Sequence, residues 1–222
     1  MIPLDDKQIR TIRDDYDTLA ADYTAHVAGE LQHKPLDCEL LRRFAASLRG
    51  PLCDMGCGPG HITRFLKDAG ADVFGLDLSP RMIEQARKLN PDIRFQEGNM
   101  LALDLADSSL GGIAAFYAIV NLSKDTLPGV FREMARVLAP GGRLLAAFHA
   151  GDEILREKEL WGYRVKMDFL FFPPLEIKRL LEQAGLVVDE IIERDPYPEV
   201  EYPSHRAYLF VHKPEGIHAR QP

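Results

Sequence analysis

At 222 residues, 46% hydrophobic and 27% charged, the chain has the make-up of one ordinary globular domain rather than of a disordered or fibrous protein. Its 34 acidic residues against 27 lysines and arginines leave a net charge of −7, which speaks against a general electrostatic grip on nucleic acid. The charged N-terminus lacks the apolar core of a signal peptide, no run approaches the ~18 apolar residues of a membrane span, and Cys38, Cys53 and Cys57 form no CxxC pair; a cytoplasmic protein with reduced thiols and no metal site is the simplest expectation.

A helical stretch over residues 1–48 precedes the first strand, "PLCDM" (51–55). The helix "GHITRFLKDAG" follows, with Ile62, Phe65, Leu66 and Ala69 at helical spacing and Gly70 as its stop. "ADVFGLDL" is the second strand. "SPRMIEQARKL" is a helix capped by Ser79 with Pro80 at its first position. "DIRFQEG" is the third strand, and "LGGIAAFYAIV" (110–120) the fourth, almost wholly apolar as strands covered on both faces are. The helix "KDTLPGVFREMARVL" breaks at the turn "APGG", and "RLLAAFH" (143–149) is the fifth strand. A less regular stretch, 150–172, leads into the helix "PPLEIKRLLEQAG". "LVVDEIIER" and "HRAYLFVHK" then follow as strands with no helix between them, so they can pair antiparallel, and a polar tail runs over 214–222. Such alternation implies a parallel sheet covered on both faces, with a ligand at the carboxyl ends of the strands where their order reverses.

The first strand runs into "CDMGCGPGHI", with Gly56, Gly58 and Gly60 at alternate positions after Asp54. Glycines so closely set mark a backbone that something approaches closely. Dinucleotide folds use G-x-G-x-x-G to bring a helix N-terminus onto a pyrophosphate. Here the spacing is G-x-G-x-G, and Asp54 would repel a phosphate but suit a cationic amino group. The loop therefore favours S-adenosylmethionine over NAD. Asp77, ending the second strand, can accept both ribose hydroxyls, Asn99 can meet an adenine edge, and Leu78 and Met82 can cover the ring.

"LCDMGCGPGHI", "VFGLDLSPRMIEQAR", "FQEGNM" and "REMARVLAPGGRLLAAF" together resemble the class I S-adenosylmethionine-dependent methyltransferases, over roughly residues 50–150. The resemblance implies an α/β, Rossmann-like, seven-stranded and mostly parallel sheet in the order 3-2-1-4-5-7-6, the last strand antiparallel, with helices on both faces and an N-terminal helical lid. One domain over 1–213 would have 150–172 as a substrate-side insertion. By position, Gly56 and its loop approach the methionine part, Asp54 its amino group, Asp77 the ribose, and Asn99 with Met100 the adenine, although many members have an aspartate where Asn99 stands. Phe116 and Tyr117 flank the methionine and the methyl group. "YDTLAADY" is similar to the lid of small-molecule members, which puts Tyr16 and Tyr23 over the cofactor; their spacing of seven also suits plain core packing. His61 either touches the cofactor carboxylate or is solvated.

An activated sulfonium asks the protein mainly to align a nucleophile and exclude water. His149, ending the fifth strand, is the expected general base, with Tyr117 and Asn121 orienting the acceptor. Trp161, Tyr163, Phe169, Phe171 and Phe172 are expected to line the acceptor pocket, with Arg164, Lys166 and Arg206 available to an acidic acceptor and His205, opening the final strand, also on the substrate side; each has an ordinary surface or packing role as its alternative. "FYAIVNL" stands where DNA amino-methyltransferases carry N-P-P-Y or D-P-P-Y, and no proline-linked catalytic cysteine or magnesium-binding acidic triad is evident. The expectation is a small-molecule methyltransferase, monomeric or homodimeric, releasing S-adenosylhomocysteine, with an aromatic or heteroaromatic hydroxyl favoured over nitrogen or sulfur acceptors. A non-catalytic cofactor-binding module and a nicotinamide-dependent oxidoreductase are the alternatives from other classes.

Overall fold

The computed structural model describes residues 6–215. The chain runs α1 (Asp6–Val27), a 3-10 turn (Glu30–His33), α2 (Pro35–Ala46), β1 (Leu52–Met55), α3 (His61–Asp68), β2 (Val73–Asp77), α4 (Pro80–Leu89), β3 (Phe95–Glu97) and β4 (Leu110–Phe116). It continues through α5 (Leu127–Val137), β5 (Leu138–Ala150), β6 (Ile154–Leu160), β7 (Tyr163–Leu170), α6 (Pro174–Gln183), β8 (Val187–Arg194) and β9 (His205–His212). Seven strands form one sheet in the order β3-β2-β1-β4-β5-β9-β8, and β9 runs antiparallel to both of its neighbours. With the inserted β6–β7 pair set aside, this is the expected order.

Period-two alternation sorts the sheet's side chains onto two faces. Ile113, Ala115, Leu144, Ala146 and Phe148 meet α5 and α6 on one side. Ala114, Phe116, Leu145, Ala147 and Tyr208 meet α2 and α3 on the other. Burying each large apolar side chain stabilises the fold by roughly 2 kcal/mol before chain entropy is counted.

The structure departs from the sequence reading in four places. Residues 150–172 are not irregular: β6 and β7 form a hairpin closed by Trp161 (φ 51) and Gly162 (φ 86), both left-handed as a tight two-residue turn requires. "APGG" does not end an element but bulges within β5, since Leu110 pairs with Leu138 and Gly112 with Arg143. β4 stops at Phe116, because Tyr117 takes a left-handed φ of 53 and turns the chain away from the sheet. Finally, α2 belongs to the core through Leu40, Leu41 and Phe44, so residues 1–48 are not one separate helical layer. Residues 1–5 of the expected lid and 216–222 of the expected tail lie outside the described residues.

α1 crosses the carboxyl ends of the strands. Asp17 accepts hydrogen bonds from Ser79 Oγ (2.6 Å) and Arg81 N (3.0 Å) at the start of α4, while Ser79 Oγ in turn accepts from Met82 N. Asp15 accepts from Lys166 N (2.9 Å), and Leu19 packs against Val165 and Met167 of the hairpin. Among the described residues no helix is long and apolar enough to cross a membrane.

Candidate active site

The β1–α3 loop is folded back over β2: Gly56 N and Cys57 N both donate to Leu76 O. Gly56 (φ 74), Gly58 (φ 51) and Gly60 (φ 83) all hold left-handed backbones. A Cβ on Gly56 would stand 2.7 Å from that of Ala118, and one on Gly60 2.8 Å from the Phe95 ring. Gly60 is thus a packing and helix-entry residue, whereas Gly56 and Gly58 line a cleft. Asp77 accepts from Gly58 N through one oxygen and from Ser79 N through the other, both at 2.8 Å. Burial pushes its pKa up against these bonds. Each oxygen keeps one further lone pair, and the pair forms a two-pronged acceptor.

Leu78, Met82, Asn99, Met100 and Tyr16 complete this first cleft. Asn99 Oδ1 is taken by Leu101 N at 3.0 Å, so its amide presents N–H donors to the cleft, unlike an aspartate in its place. Tyr16 donates to Asn121 Oδ1 (2.8 Å), and Asn121 Nδ2 to Asp168 O (2.9 Å). Asn121 therefore fixes Tyr16 to the hairpin. Tyr16 and Tyr23 meet edge to face and border the cleft while packing with Leu19.

A second chamber of about 290 Å³ opens from the first at Gly56, Phe116, Tyr117, Tyr16 and Tyr23. Near the loop it holds Asp54 and His61. Asp54 is 1% exposed and accepts from Thr63 Oγ1 (2.5 Å), and burial raises its pKa to about 6. His61 Nε2 pairs with Glu30 at 2.7 Å, and its Nδ1 is buried without a partner among the described residues. Burial would raise Glu30, but His61 and Lys34 outweigh it and hold the carboxyl at about 2.

The far wall carries Lys34, Tyr117, His149, Phe169, Tyr202 and Arg206. His149 lies over Phe171 and beside Tyr117, and its Nδ1 meets Ser204 Oγ at 2.8 Å. Burial, followed by the Arg206 charge, lowers His149 to about 4. Behind this wall Arg194 holds both Glu201 and Asp37, and Tyr208 donates to Asp37.

Several residues expected at the acceptor lie elsewhere. Trp161 stacks on His26 at the hairpin tip (3.9 Å between centroids). Tyr163 and Arg164 are exposed, and His205 sits at the surface 3.1 Å from Asp195. Tyr163 lies beside the turn at the hairpin tip and Phe169 at the other end of β7, so among the hairpin's aromatic residues only Phe169 reaches the chamber. Glu30, Lys34, Asp37, Glu201 and Ser204 were not singled out, because a charge destined for burial looks like any surface charge in one dimension.

Residues 52–142 match the family model described as a methyltransferase domain. The malonyl-[acyl-carrier protein] O-methyltransferase of Enterobacter lignolyticus is 31% identical over 142 residues, covering 64% of this chain and 55% of that protein. The demethylmenaquinone methyltransferase of Beutenbergia cavernae is 34% identical over 122 residues, 55% of this chain and 49% of that protein. The chain thus spans about half the length of the curated relatives it matches. In fold it is similar to the Burkholderia thailandensis 1,6-didemethyltoxoflavin-N1-methyltransferase, solved with 1,6-didemethyltoxoflavin and S-adenosylhomocysteine: the TM-score is 0.76 at 17% identity, covering 97% of this chain and 92% of that one. Residues 52–142 thus form a methyltransferase domain, and the strand order and acid-flanked glycine loop agree with the class I S-adenosylmethionine-dependent methyltransferases that the chain resembles.

Proposed function

We propose that the protein transfers the methyl group of S-adenosylmethionine to an oxygen of a small-molecule acceptor in the second chamber, an aromatic or heteroaromatic hydroxyl being the group its ring-lined wall suits. The observation that carries this reading is the junction of the two chambers at Gly56, Phe116 and Tyr117. The residues present fit the cofactor: Asp77 keeps two lone pairs for the ribose, Asn99 offers donors to adenine nitrogens, and the missing Cβ of Gly56 keeps the passage open. Asp54 and the unpaired His61 Nδ1 lie where the methionine ammonium and carboxylate would enter. Bound there, the sulfonium supplies an already activated methyl group. The protein's part is to seat the acceptor and keep water out, with Tyr16 and Tyr23 as the roof. Tyr117, whose left-handed backbone stores ~1–3 kcal/mol, sits at the point of transfer. Incubation with radiolabelled S-adenosylmethionine and a panel of phenols and hydroxyheteroaromatics tests the reading. Tight cofactor binding with no labelled product from the panel would turn it to a binding module.

With a pKa of about 4, His149 is a weak base at neutral pH, so the acceptor hydroxyl has to ionise with little help from it. His149→Gln, which keeps a side-chain donor, is expected to retain turnover within about fivefold. Removing a true general base typically costs 10²–10⁴-fold, so a loss of that size with a displaced pH–rate profile restores the base role.

Asp54 gives a second test. Its raised pKa means that the empty protein binds a proton below about pH 6, whereas an ammonium partner needs the carboxylate. Affinity for S-adenosylhomocysteine is therefore level above pH 7 and falls by up to about tenfold per unit below pH 6, with proton release on binding. Calorimetry at pH 5, 6 and 7.5 in two buffers reads this directly. A flat affinity across that range removes Asp54 as the ammonium partner.

A further inference from the structure

The polar groups of the far wall are not all paired. Arg206 is 3% exposed, and its Nη1 donates to the carbonyl and the hydroxyl (2.7 Å) of Ser204. Its Nε makes no hydrogen bond and stands 3.6 Å from Glu201, whose oxygens are taken by Arg194 at 2.6 and 2.9 Å. Tyr117 Oη is likewise buried with no bond, while the neighbouring Tyr208 hydroxyl is committed to Asp37. Such groups shut away unpaired cost ~1–3 kcal/mol each, so a structure that keeps them is holding them for something.

The Ser204 bonds also set the polarity of His149. A guanidinium only donates, so Ser204 Oγ accepts from Arg206 and keeps its own proton free to give to His149 Nδ1. In that tautomer the ring proton is on Nε2, which has no partner among the described residues, and His149 is a third donor. Among the carboxylates nearby, Glu201 and Asp37 share Arg194, Glu30 is held by Lys34 and His61, and Arg206 meets Glu201 only at 3.6 Å without a hydrogen bond. Arg206 is the cation held least closely here, its hydrogen bonds going to Ser204.

Resting on the methyl-transfer reading of the chamber, we infer that the acceptor is an organic acid whose carboxylate is clamped by Arg206, Tyr117 and His149. Three donors of which one carries full charge match a carboxylate's lone pairs, while an amide in the same place would oppose donor to donor and an ester would give Arg206 no anionic acceptor. His149 then acts as an anion-holding donor, and an acidic hydroxy-aromatic compound satisfies the clamp at one end and presents its hydroxyl toward the junction at the other.

The test is calorimetric titration of the protein saturated with S-adenosylhomocysteine, using 3-hydroxybenzoate, 4-hydroxybenzoate and phenylacetate against the matching amides. At least one acid is expected to bind tenfold or more tightly than its amide. Tyr117→Phe, which removes only the hydroxyl, and Arg206→Gln should each abolish that preference while S-adenosylhomocysteine affinity and the melting temperature of Tyr117→Phe stay close to the parent's. Acids binding no better than amides, or a preference that survives both substitutions, overturns the inference. Failure of S-adenosylhomocysteine itself to bind overturns the reading beneath it instead.

Discussion

Asp77→Ala is expected to weaken S-adenosylhomocysteine binding by about 10²–10⁴-fold, as measured by calorimetry. Each carboxylate oxygen already accepts a backbone N–H, from Gly58 on one side and Ser79 on the other, and under the proposed reading the two remaining lone pairs take the two ribose hydroxyls. Hydrogen bonds to a charged group contribute about 1.5–3 kcal/mol each, and two of them give the stated range. A further loss follows because the truncation also frees the loop amides that hold the glycine turn in place. Asp77→Asn keeps one oxygen and should fall between the two proteins. An Asp77→Ala affinity within threefold of the parent would place the ribose elsewhere and dissolve the assignment of the first cleft.

Gly56→Ala is expected to lower stability and cofactor affinity together. The backbone stands at φ 74, where a Cβ costs ~1–2 kcal/mol, and the new atom would lie 2.7 Å from Ala118 Cβ and 3.2 Å from its Cα. Ala118 follows the left-handed Tyr117 and cannot retreat without moving the junction, so overpacking adds ~1–3 kcal/mol. The sum, roughly 2–5 kcal/mol, corresponds to a melting temperature lower by about 4–20 °C for a domain of this size. Cofactor affinity falls with it, because the methyl group stands in the passage between the chambers. A variant that melts with the parent and binds S-adenosylhomocysteine normally contradicts the close-approach account of this glycine.

The sheet and the cofactor cleft were legible in the sequence because both are written locally. A strand buried on two faces reads as an apolar run, Ser79 and Pro80 announce a helix start, and Asp54, Gly56 and Asp77 sit at strand ends whose position follows from those signals. The hairpin was legible and missed: "LREKELWGYRVKMDF" alternates on either side of a two-residue turn ending in glycine, but an aromatic first turn residue hid the pattern. The acceptor wall was not legible. Lys34, Glu201, Ser204 and Arg206 converge only after β9 has paired with β5, and no periodicity announces a serine that bonds both Arg206 and His149. Nor could the sequence separate Trp161 from Phe169. Which of them reaches the chamber depends on how the hairpin sits on α1.

The anchors of α1 span long stretches of chain. Its bonds reach partners 62, 64, 105 and 151 positions away, on α4, beyond β4 and on the hairpin. Closing such loops is entropically slow, and none of the partners exists until the sheet has formed. The first helix of the chain is therefore the last to find its place during folding, and the first to let go when the native state loosens. Under the proposed function, the helix over the cleft is then the piece that unfolds at least cost, and turnover would borrow a fluctuation already present in the folded chain.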